Sequence, residues 1–213
     1  MMTCRDILVA GLDALNLPLS EHQIQQLLSF IELIVKWNRA YNLTAIRNKE
    51  DMVRLHLLDS LAVAHFIRGQ RVIDIGTGAG LPGIPLAIVL PEIDFTLLDS
   101  NAKKTRFVQQ AILELKLKNA SVYHQRVEQF HPVQAFDEII TRAFTNLSDM
   151  IELTNHLLNK KGVLFAMKGK ILESEIAQVG PRYSVTTRPM HVPGINADRC
   201  LIKIEFLEQA EVR

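Results

Sequence analysis

The chain has 213 residues, with 24 Lys and Arg against 23 Asp and Glu, giving a net charge of +1 at neutral pH. That length suits one α/β domain with an elaboration, and the near-neutral charge excludes a surface coated in cations, so any RNA-binding face must be a local patch. No apolar run approaches bilayer length, and Asp6 and Asp13 bracket the first one, which excludes a membrane span and a signal peptide.

Residues 1–69 read as helical throughout. Ser20-Glu-His-Gln23 is a capping box opening a helix whose Ile24, Leu27, Leu28, Ile31 and Ile34 recur at helical spacing. Trp37-Asn-Arg-Ala-Tyr-Asn42 forms its polar, aromatic end. Asn48 caps a further helix through Met52, Leu55, Leu58, Leu61 and Ala62 to about Phe66. From residue 70 strands and helices alternate. Strands are expected near 71–75, 94–98, 120–124, 137–142 and 162–167, and helices near 83–90, 101–117 and 147–159. A helix near 171–179 and two late apolar runs, near 183–188 and 200–206, follow. Such alternation predicts a mostly parallel sheet with helices on both faces, and the late pair predicts an antiparallel edge hairpin. The division expected is a helical N-terminal cap, 1–69, and an α/β domain, 70–213. Cys4 and Cys200 form no metal-spaced cluster, so no metal site is expected and a reducing cytoplasm is.

The chemistry lies at the end of the first strand, in Arg71-Val-Ile-Asp-Ile-Gly-Thr-Gly-Ala-Gly80. The glycines let the backbone turn sharply and approach a ligand. The next strand ends in Asp99, 23 residues after Gly76, where nucleotide folds place an acid against ribose hydroxyls. Two frames overlap. Gly78-Ala-Gly80-Leu-Pro-Gly83 satisfies a dinucleotide fingerprint, and Asp74 to Gly80 satisfies the acid-x-Gly-x-Gly-x-Gly pattern of S-adenosylmethionine (SAM) enzymes. Gly76 is the first turn residue after the strand, which favours the second frame. SAM carries cations where a dinucleotide carries a pyrophosphate, and Asp74 suits the former.

The order of elements resembles the class I SAM-dependent methyltransferases, with a Rossmann-like, mostly parallel seven-stranded sheet. More narrowly, Leu43-Thr-Ala-Ile46, His56-Leu-Leu-Asp-Ser60, Asp74 to Pro85, Leu97-Leu-Asp-Ser100, Thr141-Arg-Ala-Phe144 and Met167-Lys-Gly169 resemble, in order, the ribosomal RNA small subunit methyltransferase G family, also called glucose-inhibited division protein B. The resemblance covers about residues 30 to 205. It implies methylation of a guanosine N7 in the helix 18 (530) loop of bacterial 16S rRNA. The partner is then 16S rRNA or the 30S subunit, with the enzyme a monomer. It also implies cofactor contacts at Gly76, Gly78, Gly80, Leu81, Asp99, Ser100, Val127, Glu128 and Arg142.

N7 presents a lone pair, so transfer needs no general base and no catalytic residue beyond positioning groups such as Arg142. Arg142 can hold the SAM carboxylate, donate to guanine O6, or pair with Asp59 or Asp99 as a brace. Phe144 reads as core rather than a stacking platform. His56 and Asp59, three apart on one helix face, read as a structural or lid pair. Lys168, Lys170 and Arg199 are the preferred RNA contacts, and Lys103 and Lys104 read as a solvated helix face. The alternatives are an NAD(P)-dependent oxidoreductase, on the dinucleotide frame, and a non-catalytic nucleotide-binding regulator.

Overall fold

Two capping boxes open the first helices of the computed structural model, which describes residues 2–142, 145–170 and 173–207. Thr3 and Asp6 exchange side-chain and amide bonds to start α1 (Cys4–Ala14). Ser20 and Gln23 do the same for α2 (Glu21–Tyr41), as the sequence pattern predicts. α2 ends where Asn42 turns into left-handed backbone at φ 50°. Asn38 then bridges to the next segment, donating to the Thr44 carbonyl and accepting from the Thr44 amide.

The helix capped by Asn48 is not the unbroken α-helix expected. It runs as α3 (Lys49–Met52), a π-helical turn over Val53–Leu58, α4 (Asp59–Leu61) and a short 3-10 turn over Ala64–Phe66. A π turn displaces carbonyls from the helical ladder, and such turns concentrate at functional sites. Here the Asp59 amide bonds back to the Arg54 carbonyl, and the Leu55 carbonyl instead accepts from Arg142 Nη1 at 3.2 Å.

The strands are β1 (Arg71–Ile75), β2 (Asp94–Asp99), β3 (Ala120–His124), β4 (Phe136–Arg142), β5 (Leu158–Lys168), β6 (Tyr183–Pro189) and β7 (Cys200–Phe206). The helices between them are α5 (Gly83–Val89), α6 (Ala102–Glu114), α7 (Leu147–Thr154) and α8 (Glu173–Ala177). α7 stops short of the expected 159, because Leu158 already pairs with Phe136 across the sheet. Residues 171 and 172 of the expected eighth helix lie outside the described residues. The sheet order is β3-β2-β1-β4-β5-β7-β6, parallel through β5, with β7 and β6 antiparallel at one edge. This is the mostly parallel seven-stranded sheet with an antiparallel edge pair that the sequence predicts. Strand order reverses at β1, between β2 and β4, and ligands of doubly wound sheets bind at that reversal, beyond the strands' carboxyl ends.

Alternation along the strands divides the core. Val72, Phe95, Leu97 and Phe165 face α1, α2, α5 and α6, whereas Ile73, Ile75, Leu98 and Leu164 face Leu147 and Met150 of α7. The first of these clusters continues from Leu8 through Phe30 to Phe107, whose ring stacks on that of Phe30 at 6.2 Å. The N-terminal helices therefore complete one face of the sheet.

Candidate cofactor and substrate site

The glycine loop leaves β1 and is held by two carboxylates. Asp74 is fully buried beneath it, and its Oδ2 accepts from Thr77 Oγ1 at 2.6 Å and from the Gly83 amide at 2.8 Å. It thereby ties the two ends of the loop together. Its Oδ1 has no partner, and burial pushes its pKa up to about 6. Asp99, at the end of β2, accepts from the Gly78 amide through Oδ2 and from the Asn101 amide through Oδ1, both at 2.8 Å. Each Asp99 oxygen keeps a further acceptor position. Gly78 adopts φ +59°, and a Cβ there would meet nothing nearer than 3.9 Å. Open space thus lies directly over the backbone of the loop.

Beside it is a cleft of about 140 Å³ lined by Gly76, Asp99, Ser100, Val127 and Glu128. Val127 and Glu128 begin the 3-10 turn Val127–Gln129 after β3. Five of the nine expected cofactor residues thus meet in one cleft. Gly78 adjoins it through its bond to Asp99. Gly80 and Leu81 are buried, and a Cβ at Gly80 would strike Ile84 Cγ1 at 2.6 Å, so close packing dictates glycine there. These groups fit SAM: backbone open to approach, and an acid with spare acceptor capacity for ribose hydroxyls. Lys104 is a residue that periodicity missed. It is half-buried, not on a solvated face, and its Nζ stands 4.0 Å from the Cβ position of Gly78. Lys103 is exposed as expected.

Arg142, the ninth residue, lines a second and larger cavity of about 660 Å³. There its Nη1 donates to Asp59 Oδ2 at 3.1 Å, while Arg199 Nε donates to Asp59 Oδ1 at 2.7 Å. The expected brace between Arg142 and an acid thus forms, with Asp59 as the acid. Lys168 pairs with Glu175 in the same wall, and Lys170 is exposed at the rim. All three expected RNA contacts line this cavity, two of them through ion pairs that the sequence does not predict. Ala143 and Phe144 lie outside the described residues.

His56 and Asp59 share the cavity without bonding to each other. His56 Nε2 meets Thr44 Oγ1 at 3.0 Å, and its buried Nδ1 has no partner. Burial, and then the Arg142 charge, hold its pKa down at about 4, so the ring is neutral. This sets a testable pH dependence. A histidine depressed in the fold loses stability as pH falls from its ordinary value of about 6.5 toward 4. Asp74, raised in the fold, does the reverse, adding stability as pH falls from about 6 toward 4. The two nearly offset between pH 7 and pH 5 in the wild-type protein. His56→Gln should therefore be about 1 kcal/mol more stable at pH 5 than at pH 7, and Asp74→Asn about 2 kcal/mol less stable. Urea midpoints at the two pH values check both signs.

Comparison with known proteins agrees with this geometry. The family model described as rRNA small subunit methyltransferase G matches residues 23–202. Ribosomal RNA small subunit methyltransferase G of Hydrogenovibrio crunogenus is 48% identical over 211 residues, 96% of this chain and 97% of that protein. Among solved structures, a SAM-dependent methyltransferase from Aquifex aeolicus aligns with a TM-score of 0.54 at 20% identity, over 71% of this chain and 92% of that one. The N-methyltransferase NodS from Bradyrhizobium japonicum WM9, in complex with S-adenosyl-L-homocysteine, aligns with a TM-score of 0.55 at 13% identity, over 82% and 98%. These two share the fold, and the family match displaces the dinucleotide frame with its oxidoreductase reading. On the family match and the near full-length relative, this chain belongs to the rRNA small subunit methyltransferase G family.

Proposed function

We propose that the protein transfers the methyl group of SAM to N7 of a guanosine in the helix 18 (530) loop of 16S rRNA. The observation that carries this choice of atom is the state of the cavity's proton acceptors. Asp59 is taken by two arginines, Glu175 by Lys168 and the Leu147 amide, and His56 by Thr44. Both carboxylates are thus paired, and His56, whose Nδ1 is unpartnered, is held at a pKa of about 4 and is too weak a base to keep a proton near neutral pH; a guanine N7 has no proton to give. When bound, SAM supplies an electrophilic methyl on a sulfonium. Transfer to the N7 lone pair would leave the bonding pair on sulfur and the positive charge on the base, with no proton to remove. The residues' part is to bind and orient. Asp99 takes the ribose hydroxyls, the backbone at Val127 and Glu128 takes the adenine edge, and Arg142 takes the methionine carboxylate. Gly76, Gly78, Gly80, Leu81 and Ser100 shape the cleft.

On the RNA side, Lys168, Lys170 and Arg199 face the phosphates, and residues 1–69 serve as a helical cap over the sheet. N7 lies deep in the major groove of A-form RNA, so the target base must be in a loop or splayed from its stack. The protein acts in this reading as a cytoplasmic monomer, on 16S rRNA alone or within the 30S subunit. No helix among the described residues is long and apolar enough to cross a membrane.

The test is transfer from labelled SAM to 30S subunits of a strain lacking the protein. An N7-methylated guanosine makes the strand cleavable by borohydride and aniline at one position. A methylated pyrimidine or exocyclic amine would overturn the proposal. The rate should be flat from mildly acidic to mildly alkaline pH, and Cys4→Ser and Cys200→Ser should stay within a small factor of wild type. Lys170 is exposed and has no ion pair among the described residues. Lys170→Ala should weaken RNA binding and reduce its salt slope by about one counterion.

A further inference from the structure

Asp59 sits between two arginines that reach it from different parts of the fold. Its side chain is 7% exposed, and each of its oxygens accepts one bond, Oδ2 from Arg142 and Oδ1 from Arg199. Arg142 ends β4, beside the strand that leads into the glycine loop. Arg199 directly precedes β7, in the antiparallel edge. Backbone carbonyls steady both: Leu55 accepts from Arg142 at 3.2 Å and Asp198 from Arg199 at 3.0 Å. Of the five N–H donors on each guanidinium, these contacts use two, and the rest stay available for an anion. Each arginine holds a different oxygen of the one carboxylate, so neither pairs with it through both. An oxygen released by one arginine can turn to the free donors of the other and make a two-point pair there.

We propose that Asp59 is a positioning residue through which Arg199, on the RNA side, sets how strongly Arg142 binds the carboxylate of SAM. This rests on the reading that Arg142 takes that carboxylate. While Arg199 holds Asp59, Arg142 shares the acid and keeps donors for the cofactor. Without Arg199, Oδ1 of Asp59 loses its donor and turns to Arg142, taking up N–H donors that the cofactor's carboxylate would use. The same balance makes the coupling reciprocal, so an RNA phosphate that draws Arg199 away from Asp59 weakens the hold on SAM. The π turn over Val53–Leu58 serves this arrangement, since it sets Asp59 on the cavity side and leaves the Leu55 carbonyl to Arg142.

Calorimetric SAM titration of a small set of variants tests the relay, with melting curves confirming that each is folded. Arg199→Ala should weaken SAM binding on the order of fivefold. Arg199→Lys should recover most of that loss, because a cation again shares Asp59. On an Asp59→Asn background, Arg199→Ala should change SAM affinity no further. Additive losses, or an unchanged affinity in Arg199→Ala, would overturn the relay. If Asp59→Asn does not fold, the contrast between Arg199→Ala and Arg199→Lys decides, and equal losses in both overturn it. Arg142→Ala separates the two readings. A weakened SAM affinity there with none in Arg199→Ala sinks only the relay, whereas no loss in Arg142→Ala sinks the assignment of Arg142 and the relay with it.

Discussion

Asp99→Ala should bind SAM about 10- to 150-fold more weakly than the wild-type protein, the cost of a hydrogen-bonded charged contact of about 1.5–3 kcal/mol. Two effects act together. The carboxylate that would accept from the ribose hydroxyls is gone, and the Gly78 and Asn101 amides lose their 2.8 Å acceptors. The loop then loses its tie to β2 beside the cleft that it must shape. Gly78→Val should fail for a different reason. It places a branched side chain at φ +59°, where such residues are strained, and fills the open space over the loop. Isothermal titration distinguishes the cleft from any other location, and normal SAM affinity in Asp99→Ala would remove this pocket from the reaction.

Phe30→Ala should destabilise the entire protein by about 3–5 kcal/mol, not the N-terminal helices alone. Phe30 is fully buried in α2, stacks on Phe107 of α6, and lies within 3.6 Å of the Cβ position of Gly80. Truncating it opens a cavity where the helical segment, the sheet face and the glycine loop meet. A single shifted unfolding transition is expected, with weaker SAM binding as the loop loses support. Two separate transitions, one near wild type, would mean that residues 1–69 fold as an independent unit.

Strand positions were legible because short apolar runs and the turn residues that bound them are local signals. Val72, Ile73 and Ile75 lead into Gly76 with no ambiguity of register. The Ser20–Gln23 box was legible for the same reason, since its partners are three residues apart. The expected helix from Asn48 to Phe66 was only half legible. Periodicity reports which residues are apolar, and a π turn alters the hydrogen-bond ladder without removing that pattern. Asp74 could be read as an acid near the cofactor's cations. That it turns beneath the loop to bond Thr77 and Gly83 depends on the close approach of Gly83, whose Cβ would stand 2.8 Å from its Oδ2.

By itself the sequence determined the chemistry class: three glycines in register after β1, an acid closing β2, and the family motifs in order. These are contacts of a ligand with short segments, and short segments carry their own spacing. Only the tertiary structure decided what the charged groups of the large cavity do. Arg142 and Arg199 meet Asp59 across 83 and 140 residues of chain, and Lys168 pairs with Glu175 from the next helix. Such partnerships follow from the strand order that brings β4 and β7 to either side of β5, and no local spacing encodes them.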